Sequence, residues 1–229
     1  MTDLLLIITV ILLVIIVIIL IIGLINSSRA TISSGRYREI INFGNHSEIS
    51  TGDLLFIGYR TIEGMIISCF SRAVWCHSAL AVRDKDGELW VLEAAEYNAK
   101  QKGLFFLPFN DWLYINKKHH LGYMKYHGPP VGPDKIKELY QEFRNVRLDA
   151  FGLSWSRFLS MRKYHHEKVT DREFTCNEII ILMLQRLNIF KKDYLCSSYF
   201  PSDLSNGTIA TESGIYYNPL QSLKLTVIK

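Results

Sequence analysis

The sequence predicts an α+β domain, with an antiparallel sheet and packed helices, that follows one N-terminal transmembrane helix. Two observations predict this organisation. Residues 4–25 form an uncharged and almost entirely apolar run. Beyond that run, the short β-rich segments are concentrated in the middle of the chain, while most segments with helical periodicity lie outside them. Strands and helices that are segregated in this way are typical of the α+β class.

The composition indicates a single globular domain behind the apolar run. The chain has 229 residues, of which 48% are hydrophobic and 21% charged, and its formal net charge is +4. Without residues 4–25 the remainder has an ordinary globular composition and is long enough to bury one sizeable core. No block of Lys and Arg suggests a nucleic-acid surface, and the four cysteines lack the paired spacing of a disulfide framework.

Residues 4–25 are predicted to be a retained membrane anchor. As a helix this run spans about 33 Å, enough to cross a hydrocarbon core about 30 Å thick. Asp3 is the only charged residue before it, so the basic start of a cleaved signal peptide is missing. Arg29, Arg36 and Arg38 follow the run. The positive-inside rule therefore predicts an external N-terminus and a cytoplasmic C-terminal domain.

The rest of the chain is divided into a linker and one domain. Residues 26–50 are rich in Ser and Gly and are predicted to be the linker, and residues 51–229 are predicted to be the domain. Two N-glycosylation tripeptides, at Asn45 and Asn206, favour the opposite membrane orientation. They are too short to outweigh the flanking arginines.

Six short segments have the residue types of β-strands and are predicted to form the sheet. The turn sequence Asp84-Lys85-Asp86-Gly87 lies between the second and third segments and predicts a hairpin there. The segments are residues 53–59, 75–82, 88–94, 104–107, 121–126 and 223–228.

Three segments are predicted to be helices. Residues 61–72 favour a short helix. Residues 133–147 begin with proline and carry apolar residues at helical spacing, so we expect an amphipathic helix there. Residues 176–189 form the most apolar helical segment of the domain.

Cys176 is the cysteine whose surroundings best suit a nucleophile. A reactive thiolate requires stabilisation of its charge, which a helix N-terminus and a nearby histidine provide. Cys176 opens the helical segment 176–189, so the helix dipole and free N–H groups are expected beside its sulfur. The other cysteines lie in a predicted helix, a strand and a loop: Cys69, Cys76 and Cys196. A purely structural role for Cys176 is the alternative.

His77 and Glu93 are the candidate base and its orienting partner. They lie on the two strands of the predicted hairpin. A turn centred on Lys85 places His77 directly across from Glu93 on one face, whereas a two-residue turn shifts the register by one and separates them. In the first case the carboxylate orients the imidazole, which accepts the thiol proton. A structural histidine in the sheet is the alternative.

An ordered set of motifs carries a resemblance to a known family. The motifs are TGDLLF at 51–56, WCHSAL at 75–80, VLEA at 91–94, FTCNE at 174–178 and PSDL at 201–204. This set resembles the circularly permuted NlpC-type branch of the papain-like fold, the YiiX-like group, which is related to lecithin:retinol acyltransferase-like proteins. Similar members occur in poxviruses and other large DNA viruses. In this branch the histidine strand precedes the cysteine helix.

The resemblance implies a permuted papain-like domain that is a thiol hydrolase or acyltransferase. Cys176 would be the nucleophile, His77 the base and Glu93 the orienting residue. Family substrates are amide bonds in peptides or cell-wall fragments, or acyl groups of lipids. Asn177 stands where a small hydroxyl residue is frequent in the family, and Cys76 directly precedes the histidine. These two departures leave the substrate preference open.

The sequence therefore favours a membrane-anchored cysteine hydrolase or acyltransferase that acts through an acyl-thioester. The alternative is a catalytically silent structural or interaction protein of a membrane or virion. No cofactor or metal is expected, because the chain has no glycine-rich phosphate loop and no His-Glu-x-x-His or Cys-x-x-Cys pattern. The expected partners are a membrane, a peptide or lipid substrate and, for a viral chain, capsid or virion-membrane proteins, with location in the virion membrane.

Overall fold

The computed structural model describes residues 5, 7–18, 21, 48–60, 64, 74–98, 101–148, 173–192, 201–207 and 209–223. The strands defined among them are β1 Leu54–Gly58, β2 His77–Arg83, β3 Leu89–Asn98, β4 Gln101–Pro108, β5 His120–Met124, β6 Tyr126–His127, β7 Arg147–Leu148, β8 Glu173–Phe174, β9 Tyr216–Tyr217 and β10 Gln221–Leu223. The helices are α1 Phe109–Asn116, α2 Pro133–Phe143, α3 Cys176–Arg186 and α4 Pro201–Ser205.

A six-stranded antiparallel sheet forms the centre of the fold. Its strand order is β10-β5-β1-β2-β3-β4, and each neighbouring pair is antiparallel. Strands β2, β3 and β4 form a meander, whereas β1 lies between β2 and β5. Two short pairs lie beside this sheet, β6 with β9 and β7 with β8. The predicted α+β class, with an antiparallel sheet and packed helices, is confirmed.

Both faces of the sheet are covered. Along β2, Leu80 and Val82 belong to a core that includes residues of α2 and α3. Ala79 and Ala81 alternate with them and belong to a second core that includes residues of α1. Because side chains alternate across a strand, a strand covered on both faces buries nearly all of its residues. Polar side chains at the start of β2 are therefore buried and need partners.

The β2–β3 hairpin is closed by a loop of residues 85–87. Gly87 has a φ angle of +85°, a left-handed conformation that favours glycine and is common in three-residue hairpin loops. The side chain of Asp84 accepts a hydrogen bond from the backbone N–H of Asp86 at 3.0 Å. The turn is centred on Asp86, so the prediction of a turn centred on Lys85 is wrong.

The prediction of a transmembrane helix over residues 4–25 is wrong. Within the part of the chain that the structure describes, no helix is both long and apolar enough to cross a membrane. The single-pass localisation, with an external N-terminus and a cytoplasmic or virion-interior domain, depended on that helix and is wrong as well.

Other elements differ from their prediction at the ends. Helix α2 ends at Phe143 and not at 147, and α3 ends at Arg186 and not at 189. Helix α1 was not predicted. The helix predicted over 61–72 falls outside the described residues except for Gly64, which is helical, and the strand predicted over 223–228 falls outside them beyond Leu223.

Candidate active site

Helix α3 begins at Cys176 because Thr175 caps it. The Thr175 hydroxyl accepts a hydrogen bond from the backbone N–H of Glu178 at 3.3 Å, and the Glu178 carboxylate accepts one from the N–H of Thr175 at 2.6 Å. This reciprocal capping box places Cys176 at the first helical position. Its backbone N–H lies in the first turn, where no carbonyl of a preceding turn is available to accept a hydrogen bond.

The start of α3 is joined to β2 beside His77. Ser78 Oγ donates a hydrogen bond to Asn177 Oδ1 at 3.0 Å, and both side chains are buried. Ser78 follows His77 in the chain and Asn177 follows Cys176. This bond therefore helps to hold the backbones of the candidate base and the candidate nucleophile next to each other.

His77 and Glu93 form a buried hydrogen bond. His77 Nε2 and Glu93 Oε2 are 2.7 Å apart, and the two side chains are 5% and 1% exposed. The strand register pairs Glu93 with Ala79, so the predicted direct pairing of His77 with Glu93 is wrong by two residues. A shift of two keeps both side chains on one face of the sheet, and they meet diagonally.

Glu93 accepts hydrogen bonds from two further donors. Trp112 Nε1 donates to Oε2 at 3.1 Å, and the Tyr97 hydroxyl donates to Oε1. An ionised carboxylate only accepts hydrogen bonds, so the His77 nitrogen that faces it carries the proton. That nitrogen is Nε2, which leaves Nδ1 of His77 for the thiol side of the site.

Cys176 lies close enough to His77 for the charge of its thiolate to act on the imidazole. Burial, the largest single influence, lowers the pKa of His77. The interaction with a Cys176 thiolate and the hydrogen bond and charge of Glu93 together outweigh burial and raise this pKa to about 10. An imidazole with such a pKa holds a proton at neutral pH, which suits a thiolate–imidazolium pair.

Cys76 differs from Cys176 although it lies close enough for a charge on Cys176 to affect its pKa. Its thiol is buried, accepts a hydrogen bond from the Tyr59 backbone N–H at 3.2 Å and lies 3.5 Å from the Ile57 carbonyl oxygen. Burial raises the pKa of Cys76 to about 12, and a nearby charge on Cys176 acts in the same direction. Cys76 is therefore protonated at neutral pH, as expected of an inert structural cysteine.

Three aromatic residues of the site were not singled out in the sequence. Tyr97 and Trp112 bind Glu93, and the Tyr59 ring lies 5.7 Å from the His77 ring between centroids. Burial, followed by the charge of Glu93, raises the pKa of Tyr59 well above 10, so its hydroxyl stays protonated. Tyr97 follows Glu93 by four residues on one strand, and an even spacing places both side chains on the same face of the sheet. This spacing could have indicated Tyr97 from the sequence. Nothing local in the sequence connects Trp112 to this carboxylate.

The described residues contain no group of three or more His, Cys, Asp or Glu side chains arranged to hold a metal ion. The acceptor nitrogens of His119 and His120 face Arg60 instead, at 3.2 and 3.3 Å from its backbone N and Nε. Cys69, Cys196, His165 and His166 lie outside the described residues. The absence of a metal or cofactor stays a prediction.

The likeness of this chain to known proteins lies among solved structures. No protein-family model matches the chain, and no curated protein matches it. Among solved structures, it is similar to the crystal structure of the metalloprotein YiiX from Escherichia coli O157:H7, a DUF1105 protein, with 17% sequence identity and a TM-score of 0.43. The match covers 61% of this chain and 66% of the YiiX chain, just under two thirds of its length. This match agrees with the YiiX-like resemblance of the motifs only at this coarse level. It supports no conclusion about activity. The circular permutation and the viral relatives stay predictions.

Proposed function

We propose that the protein is a cysteine hydrolase or acyltransferase in which Cys176 is the nucleophile, His77 the base and Glu93 the orienting carboxylate. The observation that carries the proposal is the buried hydrogen bond between His77 and Glu93, which the Ser78–Asn177 bond places beside the start of a capped helix whose first residue is Cys176. A thiol, an imidazole and an acceptor that fixes the imidazole are the components of nucleophilic acyl transfer.

The first half of the reaction forms the acyl-enzyme. The Cys176 thiol transfers its proton to Nδ1 of His77, and the thiolate attacks the carbonyl carbon of an amide or ester. The backbone N–H of Cys176 supports the resulting oxyanion at the helix N-terminus. His77 then gives its proton to the leaving amine or alcohol, the carbon–nitrogen or carbon–oxygen bond breaks, and a thioester remains on Cys176.

The second half releases the acyl group. His77, neutral again, accepts a proton from water in a hydrolase or from an acceptor amine or alcohol in an acyltransferase. The oxygen or nitrogen attacks the thioester, and Cys176 leaves as a thiolate. Glu93 keeps the same Nε2–H of His77 in place throughout both halves. The substrates that suit this chemistry are peptide amides and lipid acyl groups.

The test is alkylation of Cys176 by iodoacetamide as a function of pH, read from the Cys176 peptide by mass spectrometry in the full chain. We expect Cys176 to react at neutral pH far faster than an ordinary cysteine, and His77→Ala to remove this advantage because the imidazolium that stabilises the thiolate is lost.

Two cysteine variants serve as controls. Cys76→Ala and Cys69→Ala are expected to leave the labelling of Cys176 unchanged. Equal labelling with and without His77, or a Cys176 that does not react at all, would contradict the proposal. Either result would favour the silent structural or interaction protein, and capture of partners would then replace a search for substrates.

A further inference from the structure

A cluster of donors lies at the same end of the sheet as the candidate active site. The β1–β2 register pairs Ile57 with His77, and the β1–β5 register pairs Gly58 with His120. The end of β1 therefore lies between the candidate base and the start of β5. Arg60, which follows this end, contacts both histidines of the His119-His120 pair.

A single aromatic ring separates this cluster from the base. The Tyr59 ring lies 5.7 Å from the His77 ring and 4.9 Å from the His119 ring, between centroids, and it meets His119 edge to face. The Tyr59 backbone N–H also donates to Cys76, which holds the backbone of Tyr59 in place. The Tyr59 ring therefore lies between the candidate base and the His119 side of this cluster.

The two histidines present N–H groups outward. Burial, and then the charge of Arg60, lower the pKa of both His119 and His120, so both rings are neutral near pH 7. Nδ1 of His119 accepts from the Arg60 backbone, and Nε2 of His120 accepts from Arg60 Nε. The second nitrogen of each ring must therefore carry the hydrogen.

These donors are open to solvent. Among the described residues, the one buried side-chain nitrogen or oxygen without a partner belongs to His127, so the second nitrogens of His119 and His120 are not enclosed. Arg60 is exposed, and no carboxylate of the described part of the chain forms an ion pair with it. Its Nε is used by His120, while the end of the guanidinium is available for an oxyanion.

We infer that Arg60, His119 and His120 form a subsite for an oxyanion of the substrate, a carboxylate or a phosphate, beside the thiol of Cys176. This inference rests on the proposed function, since it names the substrate class of the same site. In the acyl compound, the anionic group and the reactive carbonyl would lie on opposite sides of the Tyr59 ring. Three separate donor groups, one of them permanently charged, provide the recognition.

The test uses bromoacetamides that alkylate Cys176 in the full chain. Their nitrogen carries an alkyl chain that ends in a carboxylate, a phosphonate or a neutral carboxamide, in a graded series of lengths. At low ionic strength we expect an anionic reagent of suitable length to react about fivefold faster than its neutral counterpart, the effect of one close charge pair near a surface. The comparison of carboxylate with phosphonate identifies the preferred oxyanion.

Arg60→Gln is expected to abolish this preference, measured as the ratio of the anionic to the neutral rate within the same variant. The matched control is Lys85→Gln, which removes the same charge from an exposed residue beyond the far end of β2. It is expected to leave the preference intact. Equal rates for anionic and neutral reagents at every length, or a preference that survives Arg60→Gln, would overturn the inference.

The two proposals fail in different ways. If the anionic reagents show no preference but alkylation by the neutral reagent still depends on His77, only the subsite is contradicted. If alkylation by the neutral reagent is equally fast in the wild type and in His77→Ala, the proposed function is contradicted. In that case, binding is measured in Cys176→Ala by titration with inorganic phosphate and acetate. Shifts of the His119 and His120 ring signals in NMR spectra that disappear in Arg60→Gln support the subsite, and an absence of such shifts overturns it.

Discussion

Glu93 holds a carboxylate that is almost completely buried and surrounded by donors. Its oxygens accept hydrogen bonds from His77, Trp112 and Tyr97. A buried carboxylate is costly unless charge and hydrogen bonds compensate for lost hydration. The protonated imidazole of His77 supplies the compensating charge, and the contact with Glu93 is one of the causes that raise the pKa of His77.

Glu93→Gln is expected to lower the pKa of His77, because the charge of Glu93 is one of the causes that raise it. The measurement is an NMR pH titration of the His77 ring signals. A matched control is Glu96→Gln on the same strand, an exposed carboxylate 3.9 Å from Lys102, which is expected to change nothing. An unchanged His77 titration in Glu93→Gln would show that the carboxylate does not act on the imidazole.

At the residue scale, side-chain chemistry was enough to select Cys176, His77 and Glu93 as candidates. The structure joins His77 to Glu93 by a hydrogen bond and places the start of α3, where Cys176 lies, beside them. Their catalytic role stays a prediction. The partners of Glu93 were not predictable in the same way. Trp112 reaches the carboxylate from α1, and such a contact between elements leaves no periodic or local pattern in the sequence.

Among the elements, helix α3 has a start that is defined by side chains. The capping box of Thr175 and Glu178 fixes the first turn, and the Ser78–Asn177 hydrogen bond fixes its position on the sheet. The orientation of the Cys176 thiol therefore depends on groups that take no part in the proposed chemistry.

Thr175→Ala is expected to lower the free energy of unfolding by about 1 kcal/mol, and also to slow the alkylation of Cys176, because the helix start loosens. Gly87→Ala is the comparison variant. It strains a left-handed position at the far end of β2, where an added Cβ meets no atom within 4 Å, and costs about 1 kcal/mol. The measurements are urea unfolding and labelling rates. Equal labelling in both variants would show that the cap does not position the thiol.

The hairpin shows what the sequence determines and what it does not. Alternating apolar residues and the Asp84–Gly87 turn signal were sufficient to predict two paired strands. The register depends on which residues form the loop as well as on their number, and the positive φ of Gly87 suits the last residue of a three-residue loop centred on Asp86. Helix α1 was missed because its eight residues follow Pro108 without a side-chain cap, so neither periodicity nor capping marked it.

For the whole molecule, the double coverage of the sheet determines where polar groups are tolerated. One core lies under α2 and α3 and the other under α1, and the site lies at the end of the strands between them. His77 and Glu93 are buried in this arrangement. Part of the stability of the fold therefore depends on the protonation of a single pair.

This dependence predicts a loss of stability at alkaline pH. The pKa of His77 rises from 6.5 to about 10 on folding, so the folded state binds its proton more tightly than the unfolded state. The resulting stabilisation is complete below pH 6.5 and is lost as the pH rises through about 10. We expect the difference in unfolding free energy between the wild type and His77→Ala to shrink over this range.

Urea unfolding at the two ends of that range measures the difference. Cys176→Ala is the informative companion, because the charge of Cys176 is the leading cause that raises the pKa of His77. The pH dependence is expected to be weaker in this variant. A difference between wild type and His77→Ala that stays constant with pH would contradict the assigned protonation of the pair.

The order of the strands has a consequence for a chain emerging from the ribosome. The meander of β2, β3 and β4 contains His77 and Glu93, and its contacts are local in sequence, so it can form early. Cys176 is synthesised much later and comes beside β2 only when α3 docks. The proposed pair of thiol and base is therefore complete only after α3 has been translated and has packed on the sheet.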